Sequence, residues 1–104
     1  MEKAVRLAAE KLVNLAVQDT GQGRRAANFL LAWWNAEQHG GFDFTDLTNV
    51  DREIAEAMAT IVVFLAQSSD YYYPTEYRHE IEQIITRRQP VAAAFPGRII
   101  SGVK

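Results

Sequence analysis

The side chains able to do covalent or metal chemistry are few in this sequence. There is no cysteine, and the imidazoles are His39 and His79. A nucleophilic triad needs a base set beside a hydroxyl or thiol, and neither histidine has such a motif around it. Gly21-Gln22-Gly23 lacks the third glycine of a dinucleotide loop, the lysine and hydroxyl of a phosphate loop, and any preceding strand. Glycines 21, 23, 40 and 41 therefore read as turn glycines. The one metal-like pattern is Glu76-x-x-His79 on one helical face, with Glu53 or Glu56 as a further carboxylate. Di-iron bundles use two such motifs and two more glutamates, so only a homodimer with this face on its axis completes the set. Glu76 at the positive end of a helix dipole is the simpler reading. Asp43, Asp46, Asp51 and Glu53 miss the spacing of a calcium loop and read as helix caps. No catalytic residue, metal ligand or cofactor is assigned.

Residues suited to recognition are more prominent. Tyr71-Tyr72-Tyr73 lies close to Arg78, and aromatics interleaved with arginine can stack single-stranded bases. Yet between residues 70 and 89 the basic side chains are Arg78, Arg87 and Arg88, outnumbered by Asp70, Glu76, Glu80 and Glu82. A groove that tracks phosphates should be positive. Tyrosine and arginine are also the types favoured at protein interfaces, and three consecutive tyrosines cannot all face a core. A partner surface is the sharper reading; partial packing of Tyr72 and Tyr73 under the last helix is the alternative. Trp33 and Trp34 point about 100° apart on a helix. Trp33 continues the Phe29-Leu30 stripe into the core, whereas Trp34 is either core of a wide face or the centre of a contact patch. The partner-binding candidates are thus Trp34, Tyr71, Tyr72, Tyr73, Arg78 and the acidic Asp43/Asp46 loop. The competing set, for nucleic acid, is Arg24, Arg25, Arg87 and Arg88.

The elements that must position these residues are helical. In 104 residues, 48% hydrophobic with a net charge of −2, there is room for one domain over residues 1–90 and a tail over 91–104. Val5, Ala9, Leu12 and Ala16, flanked by Ala8 and Leu15, form a stripe over Glu2 to Gln18. Asp19 to Gly23 is a turn, and a second helix runs from about Arg24 to Gln38, stopped by Gly40-Gly41. Residues 42–49 form a loop with a helical turn at Thr45 to Thr48 and its aromatics folded under. Thr48 or Asn49 then caps a third helix to about Gln67, with Asp51 and Glu53 in its first turn. Val50, Ile54, Met58, Ile61 and Leu65 form its stripe. Ala57, Val62 and Phe64 thicken that stripe, which marks the helix as central. Thr75 caps a fourth helix from Glu76 to about Arg88, facing Tyr77, Ile81, Ile84 and Ile85 inward. Phe95, Ile99 and Ile100 in the tail are expected to dock or to remain loose. The expectation is an all-α bundle of about four helices with a less regular C-terminal tail.

No apolar run approaches roughly 18 residues, so no membrane span is expected. The scattered charges of Met1 to Leu12 do not resemble a secretory signal. With no cysteine, a cytoplasmic protein is the default.

Thr20 to Ala36, with its string Phe29-Leu30-Leu31-Ala32-Trp33-Trp34-Asn35-Ala36, is followed by Gly40-Gly41-Phe42-Asp43, Thr45-Asp46-Leu47 and Val50-Asp51. Together these resemble a family of small uncharacterised bacterial proteins often found with plasmids, integrative elements and phages. The resemblance spans roughly residues 19 to 88. It implies a mobile-element context, in which small proteins commonly act by binding a host protein or a defence complex. The resulting expectation is a non-enzymatic module that binds another protein, possible homodimerisation included.

Overall fold

The computed structural model describes residues 1–88, and the expectations for the tail fall outside them. Helix α1 (Lys3–Ala16) is built on small residues. Ala8, Ala9 and Ala16 are buried beside Val5, Leu12 and Val13, so neighbouring helices approach closely on more than one side. Helix α2 (Gly21–His39) packs on one side of α1, and α3 (Arg52–Gln67) packs on another. Helix α4 (Arg78–Arg88) closes the bundle against α2 and α1. The protein is an all-α bundle of four helices, with Leu12, Leu30, Met58, Ile61 and Ile81 sealed at its centre.

The central helix is α1, not α3. On α3 only Ile54, Ala57, Met58 and Ile61 are buried, while Val62 and Val63 are 50% and 52% exposed. The thick apolar band of α3 thus exceeds what its neighbours cover. The narrow alanine-lined stripe of α1 is the one packed from several directions.

The α1–α2 turn is shorter than expected. Thr20 is the N-cap of α2, its hydroxyl accepting from the Gly23 N–H at 2.9 Å. Gly21 and Gly23 therefore open the helix rather than form the turn. At Gly23 an added Cβ would lie 2.8 Å from the Leu15 carbonyl oxygen and closer still to that of Gln18. Glycine is required there by the close approach of α1's end. Gly40 ends α2 with φ +93°, a conformation suited to glycine.

Between α2 and α3, a 3-10 turn covers Phe44–Thr48. Phe42 folds under, its ring edge-on to Phe29 at 5.3 Å. Phe44 does not, and is 78% exposed. Thr48 and Asn49 bond back into this turn instead of capping α3. The N-cap of α3 is Asp51, through its backbone carbonyl, and its N–H donates to the Gln22 side chain at 2.7 Å. The start of α4 is likewise preceded by a 3-10 turn, Thr75–Tyr77, placed after the buried Pro74.

Candidate functional site

Helix α2 does not run straight to its end. Asn35 leaves helical geometry, with φ −167° and ψ 86°. Its side-chain oxygen accepts from the Gln38 N–H at 3.1 Å, and its amide donates to the Gln38 side chain at 3.4 Å. Asn35 thus acts as an N-cap that restarts the last turn of α2. The break falls just past Trp33, whose carbonyl accepts the Tyr71 hydroxyl at 2.5 Å. The buried Trp33 indole returns the link, donating Nε1–H to the Tyr72 carbonyl at 2.7 Å. Two reciprocal hydrogen bonds thus clamp the tyrosine segment onto α2.

That clamp decides which way each ring points. Tyr71 and Tyr73 lie on the outer side, edge to face at 4.8 Å, and are 52% and 56% exposed. They line a groove with Trp34, Ala36 and Glu37. Tyr72 points the other way, packing edge-on to Phe64 of α3 at 5.3 Å, and its hydroxyl donates to the Glu76 carboxylate. Trp34 is half-buried, and the Arg78 guanidinium lies 5.0 Å from its ring centre, a cation–π contact. Glu82 holds Arg78 from the next turn of α4 at 3.8 Å. Burial and the neighbouring Tyr73 push the Tyr71 phenol up, and the bond to Glu76 pushes the Tyr72 phenol up. The Tyr71 and Tyr72 phenols are therefore neutral near pH 7.

Of the expected contact residues, the structure therefore unites Trp34, Tyr71, Tyr73 and Arg78. It turns Tyr72 inward as a support. The acidic loop lies elsewhere. Asp43 accepts from the Thr45 N–H at 2.9 Å and its hydroxyl at 2.8 Å, bonds that hold its carboxyl below the usual range. Asp46 pairs with Arg25 at 3.6 Å, near the start of α2 and about 13 Å along the helix from Trp34. Asn35 and Trp33 were not singled out for these roles. The Asn35-x-x-Gln38 spacing is a legible cap signal inside a helical run, but the acceptors that complete the clamp are backbone carbonyls, which no residue type announces.

The four arginines of the competing set also divide. Arg25 is drawn to Asp46, whereas Arg24, Arg87 and Arg88 meet at the opposite end of α2 from the tyrosines. Glu76 faces the Tyr72 hydroxyl, and among the described residues no group of three or more His, Asp or Glu is placed to hold a metal ion. No helix among them is long and apolar enough to cross a membrane.

No curated protein and no solved structure matches the chain significantly. A family model does match, over residues 6–89, which takes in most of α1, the whole of α2, α3 and α4, the tyrosine clamp and the arginine cluster. The chain belongs to that family, described as a family of unknown function (DUF7673).

Proposed function

We propose that this protein is a non-enzymatic binding module that recognises another protein through the groove of Trp34, Tyr71 and Tyr73, together with the Arg78 that lies over the Trp34 ring. The observation that carries the reading is the clamp. Polar atoms of Tyr71 and Trp33 are spent on backbone carbonyls, which holds two tyrosine rings outward in fixed positions. Exposed aromatics normally lose side-chain freedom on binding, and holding them beforehand reduces that cost. Rigid tyrosine, tryptophan and arginine are also the side chains on which interface energy concentrates. The resemblance to proteins of plasmids and phages gives the module a context, in which the partner is a host or defence complex that it modulates or inhibits. A second copy of the chain is the other partner the same surface would suit.

The test is affinity capture from the source organism, with Tyr73→Ala and Arg78→Ala compared against the unaltered protein. Both side chains are exposed and make only surface contacts, so unfolding should change by no more than about 1 kcal/mol. The same partner should be lost with either variant. Recovery of an identical set of proteins with both variants would remove the groove from the interface. Light scattering across a concentration series reads the homodimer directly.

A further inference from the structure

A second feature lies where α1 ends, α2 begins and α4 finishes. Arg24, Arg87 and Arg88 line a cavity of about 180 Å³, together with Gln18, Asp19 and Ile84. Arg87 donates to the Val17 carbonyl at 2.6 Å and Arg88 to the Arg24 carbonyl at 3.1 Å. One donor of each guanidinium is thereby fixed to backbone, and each group has four more N–H donors. Among the described residues, none of the three arginines takes part in an ion pair. Residues 89–104 contain no aspartate or glutamate. Asp19 is the single carboxylate on the lining, so the cavity carries an excess of two positive charges. Burial, and then the charge of Arg24, push the Arg88 pKa down, as expected when like charges are brought together by the fold.

We infer that this cavity is a site for a phosphate dianion, free or as the terminal group of a small molecule, because three arginines line it and, among the described residues, none of them is ion-paired. Planar guanidinium forks match tetrahedral oxyanions, offering paired N–H donors to adjacent oxygens. A nucleic-acid track needs a row of such contacts. The fourth arginine of the cluster in sequence, Arg25, is committed to Asp46 instead.

The test uses the full chain and inorganic phosphate as the probe, with chloride at matched ionic strength as the reference. Calorimetric titration should give saturable binding of one phosphate, and the thermal midpoint should rise with phosphate but not with chloride. Arg24→Gln removes a charge while leaving the Arg24 carbonyl that anchors Arg88, so it should fold normally and bind about tenfold more weakly. Asp19→Asn removes the repelling carboxylate and should bind more tightly. A phosphate response no larger than that of chloride overturns the site. So does unchanged binding by Arg24→Gln, or an Asp19→Asn variant that loses stability without gaining affinity, which would make Asp19 the counter-ion of the cluster. An oligothymidylate that binds and is not displaced by phosphate would replace the proposal with a nucleic-acid surface.

Discussion

The two ends of α2 are assembled by the same device and finish with opposite surfaces. At the C-terminal end, the Trp33 indole and the Tyr71 hydroxyl bond to backbone carbonyls 39 and 38 residues away in sequence. At the N-terminal end, Arg87 and Arg88 bond to carbonyls 70 and 64 residues away. At each end one of these carbonyls lies next to a helix end or break, that of Trp33 just before the break in α2 and that of Val17 just past the last turn of α1. The difference is what remains. Tyr71 has one hydroxyl to give, so its ring is left outward as apolar surface beside Tyr73. A guanidinium has donors to spare, so charge is left facing a cavity. One linkage chemistry leaves an exposed aromatic groove in the first case and a positively charged pocket in the second.

Trp33 is the position where that contrast breaks most completely. It is 4% exposed and bonded to the tyrosine segment. Trp33→Ala should cost about 3–5 kcal/mol of stability in urea denaturation. Trp33→Phe keeps most of the ring but leaves the Tyr72 carbonyl without its donor, a smaller loss of about 1–3 kcal/mol. Both variants remove the indole half of the clamp and leave the residue 33 carbonyl that accepts the Tyr71 hydroxyl. They should therefore loosen the tyrosine rings and weaken partner capture, while the arginine cavity keeps its response to phosphate at temperatures where the chain stays folded. Equal loss at both ends would mean that the two regions are one cooperative unit.

The reciprocal break is Gly23→Ala. A methyl group at that position meets backbone oxygens of Leu15 and Gln18, which cannot move without shifting the end of α1. Overpacking of this kind costs about 1–3 kcal/mol. The displaced carbonyl of Val17 is the one that anchors Arg87, so phosphate binding should weaken while capture through Tyr73 is retained. Melting curves and titration calorimetry on the same preparation read both effects.

How much of this was legible in the sequence follows from the range of the interactions. Helical periodicity identified four helices, because each apolar stripe repeats within one turn or two. It misjudged which helix is central. Apolar content measures how much surface a helix has to bury, whereas the alanines of α1 determine how many neighbours can reach it. Phe44 looked like a plug because hydrophobicity carries no sign for direction, and the 3-10 turn aims it outward. The tyrosine and arginine residues were visible as types. Their grouping was not, since the partners of Tyr71, Trp33, Arg87 and Arg88 are main-chain atoms, identical at every position. Asp43 and Asp46, adjacent in sequence to the motif around Trp34, belong instead to a local turn and to the far end of α2.

The smallest effect is silent at neutral pH and concerns the residue that ties the start of α4 to α1. Tyr77 sits just before α4, next in sequence to the Arg78 that meets Trp34. It is 8% exposed, and its hydroxyl donates to the Arg6 carbonyl at 3.4 Å and the Glu10 carboxylate at 3.3 Å, both on α1. Burial, followed by the negative charge of Glu10, pushes its phenol up to about 12. A folded-state value above that of the unfolded chain, near 10 for tyrosine, means the native protein holds the proton more tightly. The resulting stability is fully present below about pH 10 and is lost as pH rises toward 12. Urea midpoints should therefore be level from pH 7 to pH 9 and fall above pH 10. Tyr77→Phe should reduce that fall while changing the neutral-pH midpoint little, because hydrogen bonds of this length are weak. An alkaline decline unchanged in Tyr77→Phe would assign it to Tyr71 and Tyr72, whose phenols are also raised, and would place the pH-sensitive joint in the aromatic clamp rather than between α4 and α1.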